Sequence, residues 1–107
     1  MALLPWAKAF FVTQLFELPI YWFATRSVRV AFFASAMTHP IVWFVFPLLP
    51  FPYWVMVALA ETFAVSAESV WLHVNGMPKR SAFLWSLAAN ATSVTFGLII
   101  RATTGWV

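Results

Sequence analysis

The sequence predicts an all-α integral membrane protein with four transmembrane helices. Its 107 residues are 64% hydrophobic and only 8% charged, a composition outside the range of soluble domains. Four apolar stretches are each long enough to cross a hydrocarbon layer of about 30 Å as a helix. They comprise residues 2–24, 30–50, 53–74 and 82–100. The stretches lack the alternation of membrane β-strands, and helices are the other structure that pairs every backbone group inside lipid.

The four stretches use nearly the whole chain, so we expect a single membrane domain, residues 1–107. Short breaks rich in turn and charge signals separate them, such as residues 25–29 and the Pro-Phe-Pro corner at residues 50–52. Breaks this short place consecutive helices side by side and antiparallel. The domain should therefore consist of two helical hairpins, residues 1–50 and 51–107. The N-terminal segment lacks a basic start, so we expect it to remain as a helix without signal-peptide cleavage.

Charged residues in the connections predict the orientation. The first and third connections carry four cations, and the second carries none: the four are Arg26, Arg29, Lys79 and Arg80. Because basic loops stay in the cytoplasm, this bias places both termini on the outer side of the inner, or cytoplasmic, membrane. Aromatic side chains often anchor helices at the membrane interface. At the cytoplasmic ends we expect this role for Tyr21, Trp22, Trp71 and Trp85.

The second hairpin resembles a copy of the first. An offset of 51 residues aligns Glu17 with Glu68 and His39 with Asn90. The same offset aligns identical residues: Arg29 with Arg80, Ala31 with Ala82, Phe32 with Phe83, and Ser35 with Ser86. We therefore predict a parallel internal repeat, in which an axis along the membrane normal relates the two hairpins.

Every Glu of the chain lies inside an apolar stretch. A charge at the bilayer centre costs about 3 kcal/mol, so such residues indicate a structural or functional use. Counting along the helices places Glu17, His39, Glu68 and Asn90 at one depth, roughly 10 to 15 Å from the cytoplasmic ends, as a polar core. Glu61 shares a helix face with Glu68, about two turns away. Helical spacing adds six supporting polar residues: Thr13, Gln14, Ser35, Thr38, Ser86 and Ser93.

Short motifs extend over most of the chain. They are Glu-x-Pro at Glu17, Thr-His-Pro at Thr38 to Pro40, Trp43, Glu61 with Glu68, and Asn90-x-x-Ser93. In these motifs the chain resembles a group of small four-span bacterial and archaeal membrane proteins. The resemblance implies the four-helix fold and no particular activity.

The polar core is compatible with several kinds of chemistry. His39, Glu17 and Glu68 carry groups that bind divalent metals, although no Glu-x-x-His pair is present. Intramembrane Glu and His also carry protons or cations across bilayers. A lone His in an aromatic helix can instead ligate a haem or a chlorophyll-type pigment. Hydrolysis inside the membrane is disfavoured, because a Glu-Glu pair and a second core His are missing.

The sequence favours a small non-enzymatic membrane protein. We expect a subunit of a larger membrane complex or of a homo-oligomer, whose polar core binds a cation. The core comprises Glu17, His39, Glu61, Glu68 and Asn90. A proton- or metal-coupled transporter or channel is the first alternative, and a pigment- or haem-binding subunit is the second. Six scattered cations give a net charge of +3, which excludes a nucleic-acid footprint, and the absence of cysteine excludes disulfides and thiolate chemistry.

Overall fold

A computed structural model describes residues 3–105, which form four α-helices and no β-strand. The helices are α1, Leu3–Thr25; α2, Val28–Phe44; α3, Tyr53–Val74; and α4, Lys79–Thr104. The predicted all-helical class is therefore confirmed. Three helical segments of the described chain are long and apolar enough to cross a membrane: Val28–Leu48, Tyr53–Val74 and Lys79–Thr104. The helix α1 is of similar length but is not among these three segments, and it contains Lys8, Gln14 and Glu17.

Each helix packs against two neighbours in a closed bundle. Both α1 and α3 contact α2 and α4, so α1 and α3 lie diagonally across the bundle axis. Only two residues join α1 to α2: Arg26 is left-handed, with φ of 60°, and the Ser27 hydroxyl accepts a hydrogen bond from the Val30 N–H at 3.2 Å. Pro52 and Pro78 directly precede α3 and α4, where the missing N–H disturbs no helical hydrogen bond.

The helix α2 ends earlier than the apolar pattern predicts. The sequence predicts a span up to residue 50, whereas α2 stops at Phe44 and a 3₁₀ turn, Phe46–Leu48, continues the segment. Pro47 lies at the start of this turn. A proline further inside an α-helix would remove a backbone hydrogen bond, so the 3₁₀ turn accommodates Pro47 at lower cost.

Large apolar side chains cover the outside of the bundle, and small or polar side chains fill its inside. Exposed apolar residues occur on all four helices and include Phe11, Trp22, Phe33, Val70 and Phe96. The buried polar residues are Glu17, Ser35, Thr38, Glu68, Ser86, Asn90 and Ser93. This distribution is the reverse of that in water-soluble bundles, and it suits a protein whose outer surface contacts lipid.

Close packing fills the half of the bundle that carries the α1–α2 and α3–α4 connections. Its core consists of Tyr21, Ala31, Ala34, Leu72, Ala82 and Ala89, none more than 1% exposed. The alanines let the helix backbones approach closely. Trp71 Nε1 donates to the Val30 carbonyl at 2.9 Å, and Ser86 Oγ donates to the Val65 carbonyl at 2.8 Å, so α3 is tied to both neighbours. We call this the closed half.

Candidate functional site

Glu68 accepts hydrogen bonds from three helices at the centre of the bundle. Its side chain is 1% exposed. Tyr21 Oη donates to Oε1 at 2.6 Å, Thr38 Oγ1 donates to Oε2 at 2.6 Å, and Asn90 Nδ2 donates to Oε1 at 3.0 Å. These donors belong to α1, α2 and α4. A single carboxyl group on α3 is therefore linked to every other helix.

Glu17 has the corresponding position on α1. Ser35 Oγ donates to Oε1 at 2.6 Å, and Ser93 Oγ donates to Oε2, so α1 is joined to α2 and α4. The carboxyl groups of Glu17 and Glu68 also lie close enough to interact with each other. We call the two carboxyl groups and their five donors the carboxyl floor; the donors are Tyr21, Ser35, Thr38, Asn90 and Ser93.

The carboxyl floor satisfies groups that lipid cannot satisfy. Every oxygen of the two carboxyl groups accepts at least one hydrogen bond, and all the donors are uncharged side chains. A hydrogen bond typically stabilises a protein by about 0.5 to 1.5 kcal/mol, and leaving a buried partner unpaired costs about 1 to 3 kcal/mol. Sliding or rotating any one helix would break at least one of these bonds. The floor therefore fixes the relative positions of all four helices.

Several residues of the predicted polar core meet in the floor. Glu17, Glu68 and Asn90 come together there with three of the supporting residues, namely Ser35, Thr38 and Ser93. Ser86 lies at the edge, where Asn90 Nδ2 approaches its Oγ at 3.4 Å. The sequence therefore identifies most of the floor by the depth and spacing of its polar residues.

Tyr21 belongs to the floor, although the sequence pattern assigns it to the membrane interface. Its side chain is 0% exposed and donates to Glu68, so the interface prediction is wrong for this residue. Tyr21 follows Glu17 by four residues, which places both on one face of α1. At the 51-residue offset it aligns with Leu72, another core residue. Both relations were available in the sequence and point to burial.

His39 stays outside the hydrogen-bond network of the floor. Its neighbour Thr38 donates to Glu68 instead. The imidazole packs among Trp6, Phe10 and Trp43, with centroid distances of 6.2, 5.4 and 6.3 Å. Its Nδ1 is buried and has no hydrogen-bond partner within residues 3–105. A residue of α2 at this depth can face the floor or the aromatic cluster, and helix rotation directs Thr38 to the floor and His39 to the rings.

A metal shell is not assembled from the predicted ligands. Across residues 3–105, no group of three or more His, Cys, Asp or Glu side chains is placed to hold a metal ion. The predicted set of Glu17, His39 and Glu68 is thus divided between the floor and the aromatic cluster. Gln14, expected beside Glu17, donates instead to the Phe32 carbonyl at 3.1 Å.

A cavity of about 180 Å³ lies directly above the carboxyl floor. The base consists of five residues of the carboxyl floor: Glu17, Thr38, Glu68, Asn90 and Ser93. Its other polar lining residues are Thr13, His39, Glu61 and Arg101, one from each helix. These residues lie toward the end of the bundle where α1 and α3 begin, and the cavity is partly open. Because the closed half lies beneath the floor, the cavity has one open end.

No protein-family model matches the chain, and neither a curated protein nor a solved structure is significantly similar to it. The candidate site is therefore defined by its geometry.

Replacing Tyr21 with Phe removes one hydrogen bond of the floor and little volume. We expect Tyr21→Phe to lower the free energy of unfolding by about 1 to 3 kcal/mol, because Glu68 loses a buried donor. Unfolding by SDS in mixed micelles, followed by circular dichroism, measures the change. Tyr53→Phe is the matched control, since Tyr53 is 50% exposed. Equal stability of the two variants would show that the Tyr21 hydroxyl adds nothing to the floor.

Proposed function

We propose that the protein is a small non-enzymatic membrane protein with four spans, which binds a small cation in a one-ended cavity and works within a larger membrane assembly. The observation that carries this proposal is the cavity above the carboxyl floor, where polar side chains from all four helices meet. Ionisable side chains inside membrane segments commonly mark the sites and pathways of ions and protons.

The helix α1 is the fourth span in this proposal. Its 23 residues extend over about 34 Å at 1.5 Å per residue, enough for the hydrocarbon core. Glu17 points into the bundle, where two hydroxyl groups satisfy it. Phe11, Leu15 and Trp22 are exposed on the outside of the helix, as lipid contact requires. Glu17, one of the polar residues of α1, is thus paired within the protein.

The charge distribution supports an orientation in which both termini lie on the outer side of the cytoplasmic membrane. The cations Arg26, Arg29, Lys79 and Arg80 lie at the end of the closed half, which is cytoplasmic by the positive-inside rule. The cavity then opens toward the outer face. A ligand would enter from outside and meet the floor, with the closed half beyond it. This one-ended arrangement favours a binding site over a channel.

The proposal includes an internal repeat, which is supported by an exchange of hydrogen bonds in the floor. Each carboxyl group accepts bonds from both hairpins: from Ser35 and Ser93 for Glu17, and from Asn90 and Thr38 for Glu68, which also accepts a bond from Tyr21 of the first hairpin. The two carboxyl positions correspond at an offset of 51 residues, and their partners correspond at an offset of 55 residues. Two related hairpins that face each other would produce this reciprocal pattern.

The difference between the offset of the carboxyl positions, 51 residues, and that of their partners, 55 residues, equals about one helical turn. The partner within the same hairpin lies 18 residues after Glu17 but 22 residues after Glu68. In the proposed repeat, Ser35 is therefore the equivalent of Asn90, and His39 has no counterpart in the floor. A second hairpin with one more turn between carboxyl and partner accounts for the difference.

The motifs that resemble small four-span bacterial and archaeal membrane proteins fit the same site. Five of their residues belong to the floor: Glu17, Thr38, Glu68, Asn90 and Ser93. We include this resemblance in the proposal because the motifs meet in space. A haem or chlorophyll macrocycle is larger than the cavity beside His39, so we do not propose a pigment.

Infrared difference spectroscopy tests cation binding directly, because the chain has only three carboxyl side chains. The protein in lipid nanodiscs is exposed to buffers that differ in pH or in sodium concentration. We expect a carboxyl band to respond and to disappear in Glu61→Gln, since Glu61 lines the cavity and no described residue bonds to it. Glu17→Gln and Glu68→Gln assign the remaining bands. A carboxyl region that is insensitive to both pH and sodium would contradict the proposal.

Assembly with other chains is supported by the outer surface of the bundle. A groove between α3 and α4 is lined by Glu61, Thr62 and Ser66 together with apolar residues. Thr62 bonds to the Ala58 carbonyl of its own helix, whereas no described residue bonds to the side chains of Glu61 and Ser66. Lipid offers these two no hydrogen bonds, whereas a neighbouring helix does. Native mass spectrometry of the protein released in mild detergent should therefore give a mass above that of one chain. A single chain with no partner would contradict the subunit role.

A further inference from the structure

Three half-buried polar side chains in the cavity wall are left without hydrogen-bond partners by the described part of the chain. They are Thr13 of α1, His39 of α2 and Glu61 of α3, and all three line the cavity. We call them the free wall groups. The carboxyl groups of the floor differ, because side chains of neighbouring helices satisfy them. At the base of the cavity the carboxyl groups thus have hydrogen-bond partners, whereas the free wall groups have none among the described residues.

The imidazole of His39 is held in one orientation by its surroundings. Trp43 stacks on it with an interplanar angle of 14°, and Phe10 packs beside it at a tilt of 56°. Nδ1 is buried without a partner among the described residues, and His39 lines the cavity, so we assign Nε2 as the nitrogen that meets a ligand. In a neutral imidazole protonated at Nδ1, Nε2 is a hydrogen-bond acceptor.

All three free wall groups can accept hydrogen bonds. Glu61 contributes carboxylate oxygens, His39 contributes Nε2, and Thr13 contributes a hydroxyl oxygen. Polar groups at membrane depth that lack partners are costly, so a molecule that supplies donors would be stabilised in the cavity. A positive charge on that molecule would also stabilise the Glu61 carboxylate.

A metal ion matches this wall poorly. Only Glu61 and His39 are strong metal ligands, and no group of three or more His, Cys, Asp or Glu side chains within residues 3–105 is placed to hold a metal. A primary ammonium group carries three N–H donors and one positive charge, so its donors equal the free wall groups in number. Arg101 lines the same cavity but is exposed, where water screens its charge.

We infer that the cavity binds a small primary alkylammonium ion, whose three N–H groups are directed to Glu61, His39 and Thr13. This inference rests on the proposed cation-binding function and names the class of cation. The cavity of about 180 Å³ accommodates the ammonium group and a short alkyl chain. It is smaller than the roughly 300 to 1,000 Å³ of sites for drug-sized ligands.

Calorimetric titration of the full chain in lipid nanodiscs tests the inference with methylammonium chloride as the probe. Tetramethylammonium chloride has the same charge and no N–H group, and sodium chloride supplies a cation of a different class. We expect saturable binding of methylammonium and at least about tenfold weaker binding of tetramethylammonium, because three charge-assisted hydrogen bonds are lost. Equal binding of the two organic cations would overturn the inference.

Single substitutions locate the site. We expect Glu61→Gln to weaken methylammonium binding by about tenfold or more, and His39→Phe and Thr13→Val to weaken it by smaller factors. Thr62→Ala is the matched control, because Thr62 follows Glu61 but bonds to the Ala58 carbonyl of its own helix. Circular dichroism and gel filtration verify that each variant is folded. Unchanged affinity in Glu61→Gln would overturn the inference.

The two proposals can fail separately. If sodium or protons change the Glu61 infrared band and methylammonium does not bind, the alkylammonium inference is wrong and the cation-binding cavity stands. If no cation and no change of pH affects any carboxyl band, and methylammonium does not bind, both are wrong.

Discussion

The hydrogen bonds to Glu17 and Glu68 are the interaction on which the rest of the structure depends. Apolar side chains gain little by leaving lipid for another helix, so the hydrophobic effect does not select one arrangement of helices in a membrane. Each carboxyl group of the floor selects an arrangement, because its donors come from different helices. The small residues of the closed half then allow the helices to approach as closely as these bonds require.

The hydrogen bonds of the floor also distinguish carboxyl groups with a structural role from the one that is available to a ligand. Two of the three carboxyl groups are occupied in holding the helices together, and Glu61 remains in the cavity wall with no bond to a described residue. His39 likewise has no hydrogen bond to the floor, because Thr38 donates to Glu68 in its place. Residues that look alike in the sequence, each a polar group in an apolar stretch, thus have two roles. The groups without partners are the ones available to a ligand.

Much of this site could be predicted from the sequence, and the missing part has physical reasons. Depth along the helices groups Glu17 with Glu68 and Asn90, since rise per residue is nearly constant. Depth does not give the rotation of a helix about its axis, which decides between Thr38 and His39. The weak amphipathicity of the apolar stretches left that rotation undetermined. The sequence pattern assigns Tyr21 to the interface because aromatic residues near helix ends usually lie there, although its spacing from Glu17 indicates the core.

The most direct test of this account compares the stability of Glu68→Leu and Glu61→Leu in mixed micelles. Both variants replace a carboxyl group of α3 by an apolar side chain that lipid favours. We predict that Glu68→Leu lowers the free energy of unfolding by about 3 kcal/mol or more, since three buried donors lose their acceptor. Glu61→Leu should be as stable as the wild type or more stable, because it removes a group with no bond to a described residue. Equal losses in the two variants, or no loss in Glu68→Leu, would contradict the account.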